Sequence, residues 1–430
     1  MAADRRPARR PGRGRTAGGG LLAASLALPV LVPLPAGETG PEAVPVETQG
    51  AREPRIRVGI RVGVPDVRLG APGGLVLSDA QTGRALGRVE GGAELEVRRN
   101  GAFLRIVAGS PGSIEGVRVL RAESDGAGPI RVDDARYRGR VELIAVEDSG
   151  VSVVNVLPLE EYLLGVVPLE VGAREPSETA AVEAQAVAAR TYAVAHLGGH
   201  EEMGFDVFGT VEDQVYGGIT AEREEATAAV RATTGRILTS GGLPIRAYYH
   251  STCGGRTAAV EEVMDRPPAP YLRAVADTAP DGSAWCEISP RFRWTEAWTP
   301  EELDGHVRGE LARMFGTQAA ELGHLERVRI TERTSSGRVR AVAFAGPAAE
   351  LEVERLDIRF ALRDVEGRIL GSTDFEIVPR DDGVLELHGR GYGHGAGMCQ
   401  WGAIARARAG QTYEQILAAY YPGAELTRVY

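Results

Sequence analysis

The chain of 430 residues contains no lysine, so all 49 of its basic side chains are arginine. This absence excludes a phosphate-loop lysine, Schiff-base chemistry and a Ser-Lys dyad. Hydrophobic residues at 43% and charged residues at 25% are ordinary for soluble globular proteins. The composition therefore indicates neither a disordered chain nor a protein with many membrane spans, and its length suits two domains.

The sequence also lacks an excess of positive charge. Its net charge is −10, although residues 1–36 contain six arginines and only one aspartate, so the rest of the chain is more acidic still. Binding to nucleic acid depends on cationic side chains that displace counterions from phosphates. We therefore expect no nucleic-acid partner.

The N-terminal 36 residues have the pattern of an export signal. Six arginines precede an uncharged apolar run over residues 18–36, which is interrupted by Pro29, Pro33 and Pro35. Prolines disfavour a stable spanning helix, so cleavage after Ala36 is predicted, with an uncleaved membrane anchor as the alternative. Residues 37–53 are predicted to be a flexible tether. The expected location is outside the cytoplasm, in the cell wall or periplasm.

Apolar periodicity predicts an α+β protein. In residues 54–150 short alternating runs predict a small antiparallel β unit, whose first strand would direct Val58, Ile60, Val62 and Val64 to one face. Residues 151–430 mix helices, including an alanine-rich one over residues 178–197, with further strands. Capping boxes predict helix starts at Thr299, with Glu302, and at Thr412, with Gln415. We find no βαβ repeat that would indicate a doubly wound sheet.

The three cysteines are Cys253, Cys286 and Cys399. In an oxidising compartment one disulfide and one free thiol are expected, and we predict that Cys253 pairs with Cys286, although spacing alone does not fix the pair. Free thiols are one alternative. Another is a zinc site that includes His250, but no CxxC pair supports it, and no cofactor or metal is predicted.

Glu170 ends an apolar run that begins at Val166, just before a loop and a long helix. Apolar neighbours raise the pKa of a carboxyl group, as a general acid near neutral pH requires. The alternative is a solvated glutamate near a helix start, stabilised by the helix dipole.

The alanine-rich helix carries two polar residues, Gln185 and Tyr192, that share a face. Its Arg190 could contact a substrate, but an interior hydrogen-bonding anchor is the favoured role.

Residues 388–403 form a glycine-rich segment that we interpret as a loop presenting His394, Gln400 and Trp401. Tryptophan is a suitable platform for a sugar ring. Gly391, Gly393 and Ala396 fit a dinucleotide-binding pattern, which we reject because too little chain follows for a βαβ unit.

Together these segments resemble the stage II sporulation protein D / LytB family, also called amidase-enhancer domains. The resemblance extends over roughly residues 140–425. It is carried by residues 155–170, 183–192, 213–218 (Asp-Gln-Val-Tyr-Gly-Gly), 251–255 and 389–403. Val171 stands where many members have methionine, and Cys399 where many have serine.

The resemblance implies a peptidoglycan lytic transglycosylase in cell-wall remodelling or sporulation. Its substrate would be glycan strands, preferably without stem peptides, cleaved between N-acetylmuramic acid and N-acetylglucosamine to leave 1,6-anhydro ends. Glu170 would be the catalytic acid. Candidates for substrate binding or for supporting Glu170 are Gln185, Arg190, Tyr192, Gln214, Tyr216, His394, Gln400 and Trp401.

Two alternatives remain open at this point. The first is a non-enzymatic wall-binding module that enhances a partner N-acetylmuramoyl-L-alanine amidase, a possible cell-wall partner in either case. The second is a hydrolase in which Glu170 works with a second acid such as Asp213.

Overall fold

A computed structural model of the chain describes residues 52–109, 114, 116–126, 128–146 and 149–430. The predicted signal or anchor at residues 1–36 lies outside these ranges, as does nearly all of the predicted tether. Within the ranges that the structure describes, no helix is long and apolar enough to cross a membrane.

The N-terminal part consists of short strands joined by tight turns. They are β1 Arg55–Val64, β2 Asp66–Gly70, β3 Leu75–Asp79, β4 Ala85–Val89, β5 Glu94–Asn100, β6 Phe103–Ala108, β7 Val119–Ser124, β8 Ile130–Val132, β9 Ala135–Tyr137, β10 Arg140–Val146 and β11 Gly150–Pro158.

These strands build two sheets around a common core of valine, leucine and isoleucine side chains. One sheet has the order β12-β1-β11-β10-β7-β3-β4, where β12 is Val207–Phe208, and the other has the order β6-β5-β2-β8-β9. All neighbours are antiparallel except β1 and β12, which run parallel. The predicted antiparallel β unit is thus confirmed. The predicted domain boundary after residue 150 falls at the start of β11 and stays a prediction.

The predicted face of β1 is only half right. Val58 and Ile60 are buried, but Val62 is exposed and Val64 only half-buried. The register with β11 shifts after Gly59 and again after Arg61. Each shift inserts an extra residue, which turns the following side chains away from the core.

The rest of the chain combines helices with small sheets, which confirms the α+β class. The helices are α1 Leu159–Val171, α2 Thr179–Ala195, α3 Glu224–Ala232, α4 Val260–Val263, α5 Pro300–Glu302, α6 Arg308–Phe315, α7 Thr317–Ala320, α8 Asp357–Ala361, α9 Gln400–Arg408 and α10 Tyr413–Tyr420. The strands are β13 Arg236–Ser240, β14 Leu243–Pro244, β15 Tyr249–His250, β16 Arg293–Trp298, β17 Arg327–Arg333, β18 Val339–Ala345, β19 Glu350–Glu354, β20 Phe375–Val378, β21 Leu385–Arg390, β22 Met398–Cys399 and β23 Glu425–Arg428.

Two further hydrophobic cores lie in this part. Helices α2, α9 and α10 enclose one with the segment around Cys253. Residues 298–387 enclose the other, beneath the sheets β16-β21-β20 and β17-β18-β19. The two cores belong to different regions of the chain. One region contains α1, α2 and α9, and the other is built on residues 293–390.

Helix starts follow the predicted capping chemistry. The Thr299 hydroxyl accepts a hydrogen bond from the Glu302 amide while the Glu302 carboxylate accepts one from the Thr299 amide, and Thr412 and Gln415 repeat this box at α10. The interpretation of residues 388–403 as a loop is wrong at both ends, because β21 continues to Arg390 and α9 begins at Gln400 with Cys399 as its N-cap.

Candidate active site

Glu170 lies in the last turn of α1, which ends where Gly172 takes a positive φ of 68°. Val166, Val167 and Pro168 before it are buried. The C-terminal end of a helix carries partial negative charge, which disfavours a carboxylate. The alternative of a solvated glutamate stabilised at a helix start is therefore wrong, because Glu170 lies at the opposite end.

Burial raises the pKa of Glu170 to about 7, even though Gln400, Tyr249 and the Val215 amide donate hydrogen bonds that act in the other direction. All three donors are neutral, and no ion pair within the described residues includes Glu170. The residue nevertheless keeps a partial exposure to solvent. Glu170 is thus a carboxyl group that can hold its proton near neutral pH and still reach a ligand.

Gln400 brings the C-terminal part of the chain to Glu170. Its Nε2 lies 3.3 Å from Glu170 Oε2 and 3.4 Å from Gln185 Oε1. Gln185 is fully buried on α2, and its own Nε2 has no hydrogen-bond partner within the described residues. The structure therefore brings together three predicted residues, each from a different helix.

A chain of hydrogen bonds approaches Glu170 from the other side. Tyr162 Oη donates to Gln214 Oε1 over 3.2 Å, Gln214 Nε2 donates to Tyr249 Oη over 2.8 Å, and Tyr249 donates to Glu170. Gln214 is buried and orients Tyr249, and its predicted substrate contact stays a prediction.

Tyr249 was missed by the sequence analysis. Its position depends on β15 pairing in parallel with β22, which sets Tyr249 opposite Met398 and His250 opposite Cys399. No local pattern predicts this pairing. The tyrosine pair directly before His250 was the one available signal.

His394 supports the position of Tyr249 through a backbone contact. Its Nδ1 accepts a hydrogen bond from the Ala396 amide at 3.1 Å, so Nε2 carries the proton and donates to the Tyr249 carbonyl at 2.9 Å. Burial lowers the pKa of His394 to about 4. The imidazole is therefore neutral near pH 7 and positions the backbone of Tyr249.

Trp401 follows Gln400 in the first turn of α9 and stays partly exposed. The Arg174 guanidinium lies 5.3 Å from the centre of its ring, on the loop that follows Glu170. A partly exposed indole beside an arginine can stack on a sugar ring and donate hydrogen bonds to its hydroxyls.

Comparison with known proteins agrees with this geometry. Residues 147–240, which include Glu170 and Gln185, match the family described as Stage II sporulation protein. The stage II sporulation protein D of Bacillus subtilis is 31% identical over 291 residues, which cover 64% of this chain and 76% of that protein. The chain belongs to the stage II sporulation protein D family.

Other relatives extend the comparison. An uncharacterised protein of Brachyspira hyodysenteriae is 34% identical over 293 residues, covering 67% of this chain and 72% of that protein. The amidase enhancer of Bacillus subtilis is 29% identical over 301 residues, but the chain covers only 40% of its length. Residues 284–397 match a domain family of unknown function. Gln400 lies outside both matched ranges, so its place beside Glu170 comes from the structure.

In this family member, Arg190 has the contacts of an interior anchor. Its side chain is fully buried. The guanidinium donates to both carboxylate oxygens of Glu160, at 2.7 and 2.8 Å, and to the Val230 and Arg236 carbonyls. Protein acceptors engage this side chain, which supports the favoured role as an interior anchor, while a substrate contact stays a prediction.

Tyr192 and Tyr216 are buried as well. Tyr192 Oη donates to Asp213 Oδ1 at 2.6 Å, and Tyr216 Oη donates to Asn155 Oδ1 at 2.9 Å. Both were predicted near the substrate, but their hydroxyls are occupied by protein acceptors.

Asp213, the second acid considered for a hydrolase, is equally engaged. Burial raises its pKa, but hydrogen bonds from His200, Tyr192 and the Phe208 amide outweigh burial and lower it overall. It is a structural carboxylate.

The three cysteines lie together and are free thiols in the structure. Cys253 Sγ and Cys286 Sγ are 3.5 Å apart, so the predicted pair is adjacent, but the predicted disulfide is not formed. The alternative zinc set also needs a correction. Asp277, and not His250, offers the fourth ligand atom beside the three sulfurs.

Proposed function

We propose that this chain is an exported cell-wall protein that cleaves peptidoglycan glycan strands as a lytic transglycosylase, with Glu170 as its acid. The observation that supports this most is the Glu170 carboxyl group, which is desolvated, has no cationic partner among the described residues and has a pKa raised to about 7. Membership of the stage II sporulation protein D family supports the cell-wall role.

The proposed reaction needs one carboxyl group. Glu170 gives its proton to the glycosidic oxygen as the bond from that oxygen to C1 of N-acetylmuramic acid breaks. The 6-hydroxyl of the same sugar then bonds to C1, and the Glu170 carboxylate takes the hydroxyl proton. No water is consumed. A hydrolase would need a second carboxylate, and Asp213 is held by His200, Tyr192 and the Phe208 amide.

The residues around Glu170 would divide the remaining tasks. Gln400 and Tyr249 hold the carboxyl group in place, and both can stabilise it when it is ionised because they donate hydrogen bonds. Gln185 holds Gln400. Trp401 and Arg174 would bind a neighbouring sugar of the strand.

The proposed export is based on the arginine-rich segment and the apolar run within residues 1–36. Cell fractionation would distinguish a cleaved signal from a membrane anchor. A cell-wall amidase is the proposed partner, because one relative carries the name amidase enhancer. That relative also supports a second candidate function, a wall-binding module that stimulates an amidase without cleaving glycan.

The test compares wild type with Glu170→Gln on glycan strands stripped of peptides by an amidase, with products identified by mass spectrometry. Wild type is expected to form 1,6-anhydro ends, and the variant to be slower by on the order of 10²-fold to 10⁴-fold, because an amide cannot donate a carboxylic proton. Glu161→Gln, on the same helix, is the matched control and should retain activity.

Each other result separates the candidates. Reducing ends without anhydro sugars would identify a hydrolase. Glycan binding and amidase stimulation without cleavage by wild type would favour the non-enzymatic module. Wild-type rates in a folded Glu170→Gln variant would remove Glu170 from the proposed role.

A further inference from the structure

A buried cluster of sulfur and oxygen ligands lies next to α9, apart from the groups that touch Glu170. Sγ of Cys253, Cys286 and Cys399 and one carboxylate oxygen of Asp277 all lie within 4.8 Å of one another. All four residues are buried. We propose that they form a structural zinc site that fixes the start of α9.

The spacing of the cluster suits a tetrahedral ion. Bonds of about 2.3 Å to sulfur put two sulfurs about 3.8 Å apart in a tetrahedral zinc site, whereas a disulfide requires about 2.0 Å. Cys253 Sγ lies 3.5 Å from Cys286 Sγ and 3.2 Å from Asp277 Oδ2. Small shifts would complete the coordination, whereas a disulfide would use neither Cys399 nor Asp277.

Backbone amides point at the sulfurs, as the outer shell of a metal–thiolate site requires. Cys399 Sγ accepts hydrogen bonds from the Cys253 amide at 3.2 Å and the Gly402 amide at 3.3 Å. Cys253 Sγ accepts one from the Gly255 amide at 3.3 Å. Gly254 and Gly255 both have positive φ, at 80° and 103°, which lets this loop fold its amide back onto the sulfur.

Asp277 turns one oxygen toward the sulfurs. Its Oδ1 accepts hydrogen bonds from Arg406 Nη2 at 3.1 Å and Tyr420 Oη at 2.9 Å, while Oδ2 accepts one from the Cys253 thiol, whose proton a bound metal would replace. Glycine at position 402 makes room for this approach, because a Cβ there would lie 2.4 Å from Asp277 Oδ2.

Charge also favours a divalent cation here. Three thiolates and one carboxylate in a buried cluster would repel one another strongly, and Arg406 compensates only one of these charges. A zinc ion together with Arg406 and the amide donors compensates most of the rest.

The site would join segments that are far apart in the chain. Cys399 is the N-cap of α9 and directly precedes Gln400, which bonds to Glu170. Ligand bonds from Cys253 and Cys286 would thereby hold the first turn of α9 in place. Since free energy of metal binding to a folded site adds to folding stability, removal of the metal should loosen this turn.

The experiment uses the full chain, purified without reductant or chelator. Zinc content by elemental analysis should be one equivalent, and alkylation after denaturation should label all three cysteines. Cobalt(II), added to the metal-depleted protein, should give sulfur-to-metal charge transfer and tetrahedral ligand-field bands. A Cys253–Cys286 crosslink in the intact protein, or three thiols without cobalt bands, would overturn the proposal.

Variants test the ligand set. Asp277→Asn should weaken cobalt affinity by on the order of 10-fold to 100-fold, and Cys399→Ser should change the charge-transfer band. Asp281→Asn, an exposed change in the same loop, is the matched control and should leave both unchanged. Unchanged affinity in Asp277→Asn would remove that ligand and overturn the four-ligand site. If Cys399→Ser does not fold, the thiol count of the wild type and the cobalt affinities of the two aspartate variants still test the zinc site.

Discussion

Two of the three glutamates of helix α1, Glu160 and Glu170, lie in opposite surroundings at its two ends. Burial raises the pKa of Glu160, but the Arg190 ion pair outweighs burial, together with hydrogen bonds from Tyr430 and the Gly235 amide, and the pKa is lowered overall. Within the part of the chain that the structure describes, the donors around Glu170 are neutral, and burial raises its pKa to about 7.

The comparison shows that burial alone does not decide what a carboxyl group can do. An arginine turns one buried glutamate into a structural anion, while neutral amide and hydroxyl groups leave the other able to exchange a proton near neutral pH. Four measurements test this contrast.

The largest expected effect comes from Arg190→Met, which leaves Glu160 without its cation. Breaking a buried ion pair on one side costs about 3 to 5 kcal/mol of unfolding free energy. Urea unfolding measures it, with the exposed Arg231→Met on α3 as the control, expected within about 0.5 kcal/mol of wild type. Equal losses of unfolding free energy in both variants would mean that the ion pair between Arg190 and Glu160 does not stabilise the fold.

The second effect concerns stability and pH at Glu170. The pKa of Glu170 is higher in the folded state than in the unfolded state, so its protonated form favours folding. This contribution to the free energy of unfolding is complete below the unfolded-state pKa and is lost as pH rises through about 7. Glu170→Gln has no such loss. Between about pH 5 and pH 9 its stability should therefore rise relative to wild type by about 1 to 3 kcal/mol. A difference independent of pH, as expected for Glu161→Gln, would contradict the raised pKa.

A smaller effect is expected from Tyr249→Phe, which removes a donor that stabilises ionised Glu170. The pKa of Glu170 should rise, and the alkaline limb of the pH–rate profile for glycan cleavage should move up by about 0.5 to 1 unit. Tyr248→Phe, next in the chain, is the control. A limb that stays in place would mean that Tyr249 does not act on the carboxyl group.

The smallest effect is expected from Tyr216→Phe, which loses only the hydrogen bond to Asn155. Thermal or urea unfolding should show a loss of about 1 kcal/mol, with an unchanged pH–rate profile. A shifted profile would show that this buried tyrosine is coupled to Glu170, contrary to our assignment.

Local patterns predicted those parts of the fold that depend on neighbours in sequence. Alternation located most strands, and the capping boxes at Thr299 and Thr412 located helix starts. The exposure of Val62 was not predictable, since a register shift against β11 determines it. Tyr249 was missed, and the partners of Arg190 were not predicted, for the same reason: these contacts come from distant segments.

Glu170 and Gln400 are separated by 230 positions in sequence. Contacts of such long range form late in folding, since much of the chain must be ordered before they add stability. During synthesis, the segment with Glu170 emerges long before α9, so the hydrogen bond from Gln400 cannot form until the chain is nearly complete. The set of neutral donors described around Glu170 is therefore assembled only once the C-terminal part of the chain has been made.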